Sequence, residues 1–127
     1  MSNPENLQDQ VLIVDDEFLI VMGLQDLIED FGWEVCATAA NADDAIAAAR
    51  KYRPAIVLMD VRLQGDMDGI EAARAIQESV GSKVIFITGS REPATIARIE
   101  QGHPSAVLFK PISDRQLREA VESAGRL

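Results

Sequence analysis

The chain has 127 residues, 47% of them hydrophobic, and carries 21 acidic against 12 basic side chains for a net charge of −9. That length and apolar content fit one domain with a real core and leave no room for a second. The charge argues against direct binding of nucleic acid or anionic lipid. The single cysteine, Cys36, excludes an internal disulfide, and no apolar run approaches the roughly 18 residues that span a bilayer.

Residues 1 to 8 are polar and without a basic-then-apolar leader, so they are expected to be extended or disordered, with the folded domain over 9 to 127 in a soluble, cytoplasmic protein. A first strand is expected at about 10 to 14. The helix after it runs from near Glu17 to Phe31, with Ile20, Leu24, Leu27 and Phe31 as its core stripe and Gly32 as its C-terminal cap. Phe31 and Trp33 should pack at the end of that helix. A second strand covers about 34 to 39, where Cys36 reads as a small buried hydrophobe. Asn41 can cap a second helix, with Asp43 and Asp44 in its first turn, Arg50 and Lys51 in its last, and Pro54 blocking continuation. The third strand, Ala55 to Met59, is continuously apolar and so reads as central, covered by helices on both faces. A loop over 60 to 69 leads to a third helix starting near Gly69 and Ile70. A fourth strand follows at about Lys83 to Ile87, then a short helix with Pro93 in its first turn. The fifth strand is Ala106 to Phe109, and the last helix opens on a Ser113 to Gln116 capping box with Leu117, Val121 and Ala124 on one stripe. Five strands alternating with five helices make an α/β domain of successive βα units with no repeat or linker.

Four of the five strands end in residues that handle phosphate or metal: Asp15 and Asp16, Asp60, Thr88, and Lys110 with Pro111. Parallel strands of an open sheet deliver their last residues to one edge, where such folds place their sites. Three carboxylates there resist ionising together unless a cation compensates, and Mg²⁺, which prefers oxygen ligands, answers that need. A carboxylate beside Mg²⁺ can also attack phosphorus if a cation such as Lys110 neutralises the transferring group. The hydroxyl of Thr88 can donate to a phosphoryl oxygen, a contact that exists only when phosphate is present.

Asp15-Asp16-Glu17, Asp60, Thr88 and Lys110-Pro111, in this order at strand ends, resemble the receiver domain of two-component response regulators over about residues 10 to 125. The resemblance implies a flavodoxin-like (βα)5 three-layer sandwich whose five-stranded parallel sheet has order 2-1-3-4-5. It implies a phosphoacceptor, Asp60, charged by a histidine kinase or histidine phosphotransfer protein. Mg²⁺ would be held by Asp15, Asp16, Asp60 and the backbone carbonyl of Arg62. Thr88 and Lys110 would contact the phosphoryl group, the Lys110–Pro111 bond would be cis, and Arg62 and Ser90 would modulate phosphoryl lifetime. Such a protein is a switch with its own autophosphorylation and autodephosphorylation chemistry, not an enzyme in the usual sense. With no output module expected, it would act through another protein or as a relay or phosphate sink, and homodimer formation is left open.

The chain also departs from the family pattern. The loop after Asp60 lacks the usual proline and is one residue longer, so it is expected to be more mobile. Val107 stands where the family usually has Tyr or Phe, which removes the aromatic that swings inward as the threonine moves. Phe86-Ile87-Thr88-Gly89 resembles the Phe-Ala-Thr-Gly signature of a subclass lacking that aromatic, and Gly89 could supply backbone freedom instead. Phe18, Leu19, Val21 and Met22 place apolar surface away from the expected core stripe, as overfilled packing or as a docking face for a kinase's histidine helix. The competing readings are capping of the first helix by Asp15 and Asp16, a Mg²⁺-dependent phosphohydrolase, a receiver that binds without phosphorylation, and a flavin site. A phosphohydrolase usually wants an Asp-x-Asp pair on one loop, and a flavin phosphate cradle wants glycine and hydroxyls where this chain has acids. His103, beside Pro104, is read as a loop residue.

Overall fold

The computed structural model describes residues 10–125; the segment expected to be extended or disordered, 1 to 8, lies outside the described residues. The elements are β1 (Gln10–Val14), α1 (Phe18–Asp30), β2 (Glu34–Ala39), α2 (Ala42–Tyr52), β3 (Ile56–Asp60), α3 (Gly69–Ser79), β4 (Lys83–Thr88), α4 (Pro93–Gln101), β5 (Ala106–Phe109) and α5 (Asp114–Gly125). All strand pairs are parallel and the sheet order is β2-β1-β3-β4-β5. No helix among the described residues is long and apolar enough to cross a membrane.

The alternation of side chains along each strand sorts the core into two layers. Val11, Ile13, Ile56, Leu58, Ile85 and Ile87 face α1 and α5. Leu12, Val14, Val57, Met59, Val84 and Phe86 face α2, α3 and α4. Every residue of β3 is buried, as its unbroken apolar run demands of a strand covered on both sides.

Local signals act as their chemistry predicts. Asn41 accepts from the Asp44 amide at 2.8 Å, and Gly32 takes a positive φ of 88° just past α1. Ser113 and Gln116 exchange bonds of 3.1 and 2.9 Å. Phe31 and Trp33 pack on the α1/α5 layer. In β2 the register slips between Val11 and Leu12, so Cys36 is the extra residue of a bulge, and its thiol donates to the Val11 carbonyl at 3.5 Å. Burial pushes that thiol up to about 11, which makes it a packing group and not a nucleophile.

The face of α1 needs correction. Its buried stripe is Val21, Leu24 and Ile28, while Ile20 is 38% exposed and Leu27 and Phe31 are half-buried at the margin. Five consecutive apolar residues from Phe18 to Met22 support two overlapping stripes through Leu24, and the helix takes the one that starts a residue later. Val21 therefore leaves the exposed apolar surface and Ile20 joins it.

Candidate functional site

Each chemistry-bearing residue is set by a strand end. Asp15 follows β1 directly; its amide donates to the Ala39 carbonyl at 3.0 Å and its Oδ1 accepts from the Glu17 amide at 2.9 Å. That side-chain turn bends the chain toward α1 and leaves Asp16 the more open of the pair. Asp60 is the last residue of β3 and Thr88 the last of β4; they are only 7% and 2% exposed. Both lie one residue beyond the strand ends expected from hydrophobicity, because the ladder continues through them: Asp60 pairs with Ile87 and Thr88 with Phe109. The Lys110 amide donates to the Thr88 carbonyl at 2.8 Å and so ties the ends of β4 and β5 together.

The carboxylate oxygens of Asp15, Asp16 and Asp60 come within 4.8 Å of one another. Lys110 Nζ stands 3.6 Å from Asp60 Oδ1 and 3.7 Å from Asp15 Oδ2, longer than the 2.7–2.9 Å of a tight charge-assisted bond. One ammonium therefore leans toward two buried acids without satisfying either. Burial, then the charge of Asp15, raise the Asp60 carboxyl to about 6, against the opposing pull of Lys110. Three oxygen-bearing groups short of positive charge make a donor set suited to a hard divalent ion such as Mg²⁺.

Above this cluster lies an open cleft of about 610 Å³ whose lining includes Asp60, Arg62, Thr88, Gly89, Ser90 and Lys110. Thr88 Oγ1 accepts from the Ser90 amide at 3.0 Å, and Ser90 Oγ accepts from the Glu92 amide at 3.2 Å, a relay of short turns that leads into α4. Gly89 has no positive φ and open space where a Cβ would stand. The Lys110–Pro111 peptide is cis. Val107 is half-buried against the α2, α3 and α4 layer. The loop after Asp60, expected to be mobile, is held at Gln64 by a bridge to Asn41 and at Gly69, whose amide donates to the Val61 carbonyl at 2.8 Å.

Sequence reasoning missed three features at this edge. A Cβ at Gly69 would overlap the backbone carbonyl of Asp60, so this position needs glycine; the signal was a glycine opening a helix, where its propensity is poor. Asp68 and Glu71 form a capping box at the start of α3, with Asp68 Oδ1 accepting from the Glu71 amide at 2.9 Å. Arg91, which also lines the cleft, lays its guanidinium over the Phe109 ring at 4.3 Å from the centroid, and nothing local in the sequence marks that pair.

Beside the acids, on the α1 face, lies an apolar groove of about 550 Å³ lined by Leu19, Ile20, Leu27, Ile87, Pro111 and Ile112, with Lys110 at its border. Leu19 in its wall and Phe18 one residue before are 80% and 74% exposed.

A family model described as the response regulator receiver domain matches residues 11–122. The polar-differentiation response regulator DivK of Brucella anthropi is 33% identical over 116 residues, covering 89% of this chain and 93% of that protein. The chemotaxis protein CheY of Thermotoga maritima is 28% identical over 92% of this chain and 98% of its own length. PdtaR, a transcriptional regulatory protein of Mycobacterium tuberculosis, is 31% identical over 91% of this chain, which spans only 56% of PdtaR. Among solved structures, the signal receiver domain of a modulated diguanylate cyclase from Desulfovibrio desulfuricans G20 superimposes with a TM-score of 0.86 at 33% identity, covering 91% of each chain.

Proposed function

The chain belongs to the response regulator receiver family, and from that premise we propose that Asp60 is its phosphoacceptor, charged by a histidine kinase or histidine phosphotransfer protein to switch the binding of a downstream protein. The observation that carries this reading is the place of Asp60: a buried carboxylate on a strand end, opening into the cleft and flanked by Asp15, Asp16 and Lys110.

In the transfer, an Asp60 oxygen attacks phosphorus as the bond from phosphorus to the donor imidazole breaks, and the imidazole leaves with the electron pair. An acyl phosphate forms on Asp60. Mg²⁺, held by Asp15, Asp16, Asp60 and the Arg62 carbonyl, would supply charge neutralisation for the phosphoryl oxygens. Lys110 adds a second positive charge from its place 3.6 Å from Asp60 Oδ1 and 3.7 Å from Asp15 Oδ2. A carboxyl held at about 6 is still mostly ionised at neutral pH, and so remains a nucleophile.

The hydroxyl of Thr88 accepts from the Ser90 amide and keeps its own proton for a phosphoryl oxygen. Drawing Thr88 toward that oxygen pulls on the turns from Gly89 through Ser90 to Glu92, and so on the start of α4. Arg62 and Ser90 at the cleft wall would govern the access of water to the acyl phosphate. The apolar groove along α1 ends at Lys110, and suits the apolar face of a helix carrying the phosphohistidine. A cytoplasmic setting belongs to the same proposal.

Incubation with Mg²⁺ and acetyl phosphate, followed by intact mass measurement, tests it. The wild-type chain should gain one phosphoryl group and the Asp60→Asn variant none. No adduct on the wild type, or an equal adduct on the variant, overturns the reading.

A further inference from the structure

Asp68 is a joint between the phosphoacceptor loop and two helices. Its Oδ1 accepts from the Glu71 amide at 2.9 Å and its own amide donates to Glu71 Oε1 at 3.3 Å, which closes the start of α3. Its Oδ2 lies 2.9 Å from Arg98 Nη2 on α4. The next residue, Gly69, leaves no room for a Cβ beside the Asp60 carbonyl and donates to that of Val61 at 2.8 Å. The loop from Asp60 to Gly69, which includes Arg62, is thus clamped at its far end by a residue that also grips α4.

On its own side, α4 has little else to hold it. Ile99 is its one buried residue, Glu92 makes no side-chain cap, and Gln77 Nε2 donates to the Gly102 carbonyl at 3.0 Å beyond its C-terminal end. Among the described residues, the pair to Asp68 is the one salt bridge that joins α4 to the loop beside Asp60.

We infer that Arg98 is a positioning residue, which acts through Asp68 on the loop after Asp60 and couples α4 to the phosphoacceptor by a route that does not pass through Val107. The identity of Asp60 as acceptor rests on the function proposed above; the coupling rests on geometry alone. Because coupling is reciprocal, whatever reorganises the loop biases α4, and whatever displaces α4 disturbs the loop. The two side chains are 49% and 30% exposed, so the expected effects are modest.

The test uses the full chain in three variants. Asp68→Asn keeps an excellent cap but deletes the charge, Arg98→Gln deletes the partner charge, and Arg98→Lys preserves it. Without metal, amide NMR should show the Gly69 and Arg62 amides shifted in Arg98→Gln and Asp68→Asn, and hydrogen exchange at Ile99 and Gly102 faster by roughly two- to fourfold, the range of an exposed ion pair. Arg98→Lys should return toward wild type, and the Asp68→Asn, Arg98→Gln double variant should be no worse than either single one. With Mg²⁺ and beryllofluoride, the α4 response of the wild type should fall by about half in both charge-deleting variants while the Thr88 amide still responds. Unmoved Gly69 and Arg62 amides in Arg98→Gln, or an undiminished α4 response, would overturn the inference. A wild-type Thr88 amide that ignores beryllofluoride would instead strike the phosphoacceptor reading, and the metal-free comparison would then decide the coupling by itself.

Discussion

α3 and α4 lie against the same face of the sheet, yet they are held in opposite ways. α3 begins with a closed capping box and buries Gly69, Ile70, Ala72, Ala73 and Ile76. α4 begins at Pro93, its N-cap Glu92 makes no side-chain bond, and it buries Ile99. One helix is over-determined and fixes the loop after Asp60; the other is secured at a few points, each of which can be undone separately. Such unequal anchoring is what a switch requires, since an element can report a change at the site only if its own packing does not forbid the movement.

The difference can be sharpened by cutting the anchors one at a time. Ile76 and Ile99 are both fully buried, and truncation of such a residue to alanine costs about 2–5 kcal/mol. Ile76→Ala should fall in the upper half of that range by urea unfolding, and Ile99→Ala near the bottom, because α4 can unseat without unfolding the rest. Equal losses would break the comparison. Gly69→Ala should cost about 1–3 kcal/mol through overlap with the Asp60 carbonyl, measured in the same way. A neutral result would mean that the loop after Asp60 is not fixed by α3.

A smaller effect tests the acids. The folded chain holds the Asp60 proton up to about pH 6, whereas the unfolded chain releases it near the ordinary value of 3.8. The folded state therefore binds more protons in that window, and metal-free stability should fall as pH rises through it. Asp60→Asn should flatten that slope and stabilise the metal-free protein at neutral pH by about 1 kcal/mol; a steeper slope would contradict the site electrostatics. The smallest effect is expected at Val107→Ala, which should leave the α4 amide response to beryllofluoride nearly intact while Thr88→Ala abolishes it. Comparable losses in both would return the signal path to β5.

The five-unit architecture and the site were legible because both are written locally. Apolar runs of strand length alternate with capped amphipathic stretches, and the polar residues that interrupt the runs at Asp15, Asp60, Thr88 and Lys110 are the ones the sheet gathers at one edge. The Asp68–Glu71 capping box escaped although it is a local signal, and the rest of what escaped was set by tertiary contact. The rotation of α1 could not be read where five apolar residues in succession offer more than one stripe. The Asp68–Arg98 and Arg91–Phe109 pairs join residues far apart in the chain, and no spacing rule announces them. Gly69 was readable in principle, since a glycine at the first position of a helix asks what its missing Cβ would strike.

The sorting of the core into two layers has a kinetic corollary. The α1 groove and α4 belong to opposite faces of a sheet one strand thick, and Lys110, at the edge that carries Asp60, borders the groove. A donor seated in the groove and a reader resting on α4 would not compete for the same ground. Under the function proposed above, loading and reading then fit within a single ternary assembly, with the duration of the output set by how long the acyl phosphate survives and not by how quickly two visitors exchange places.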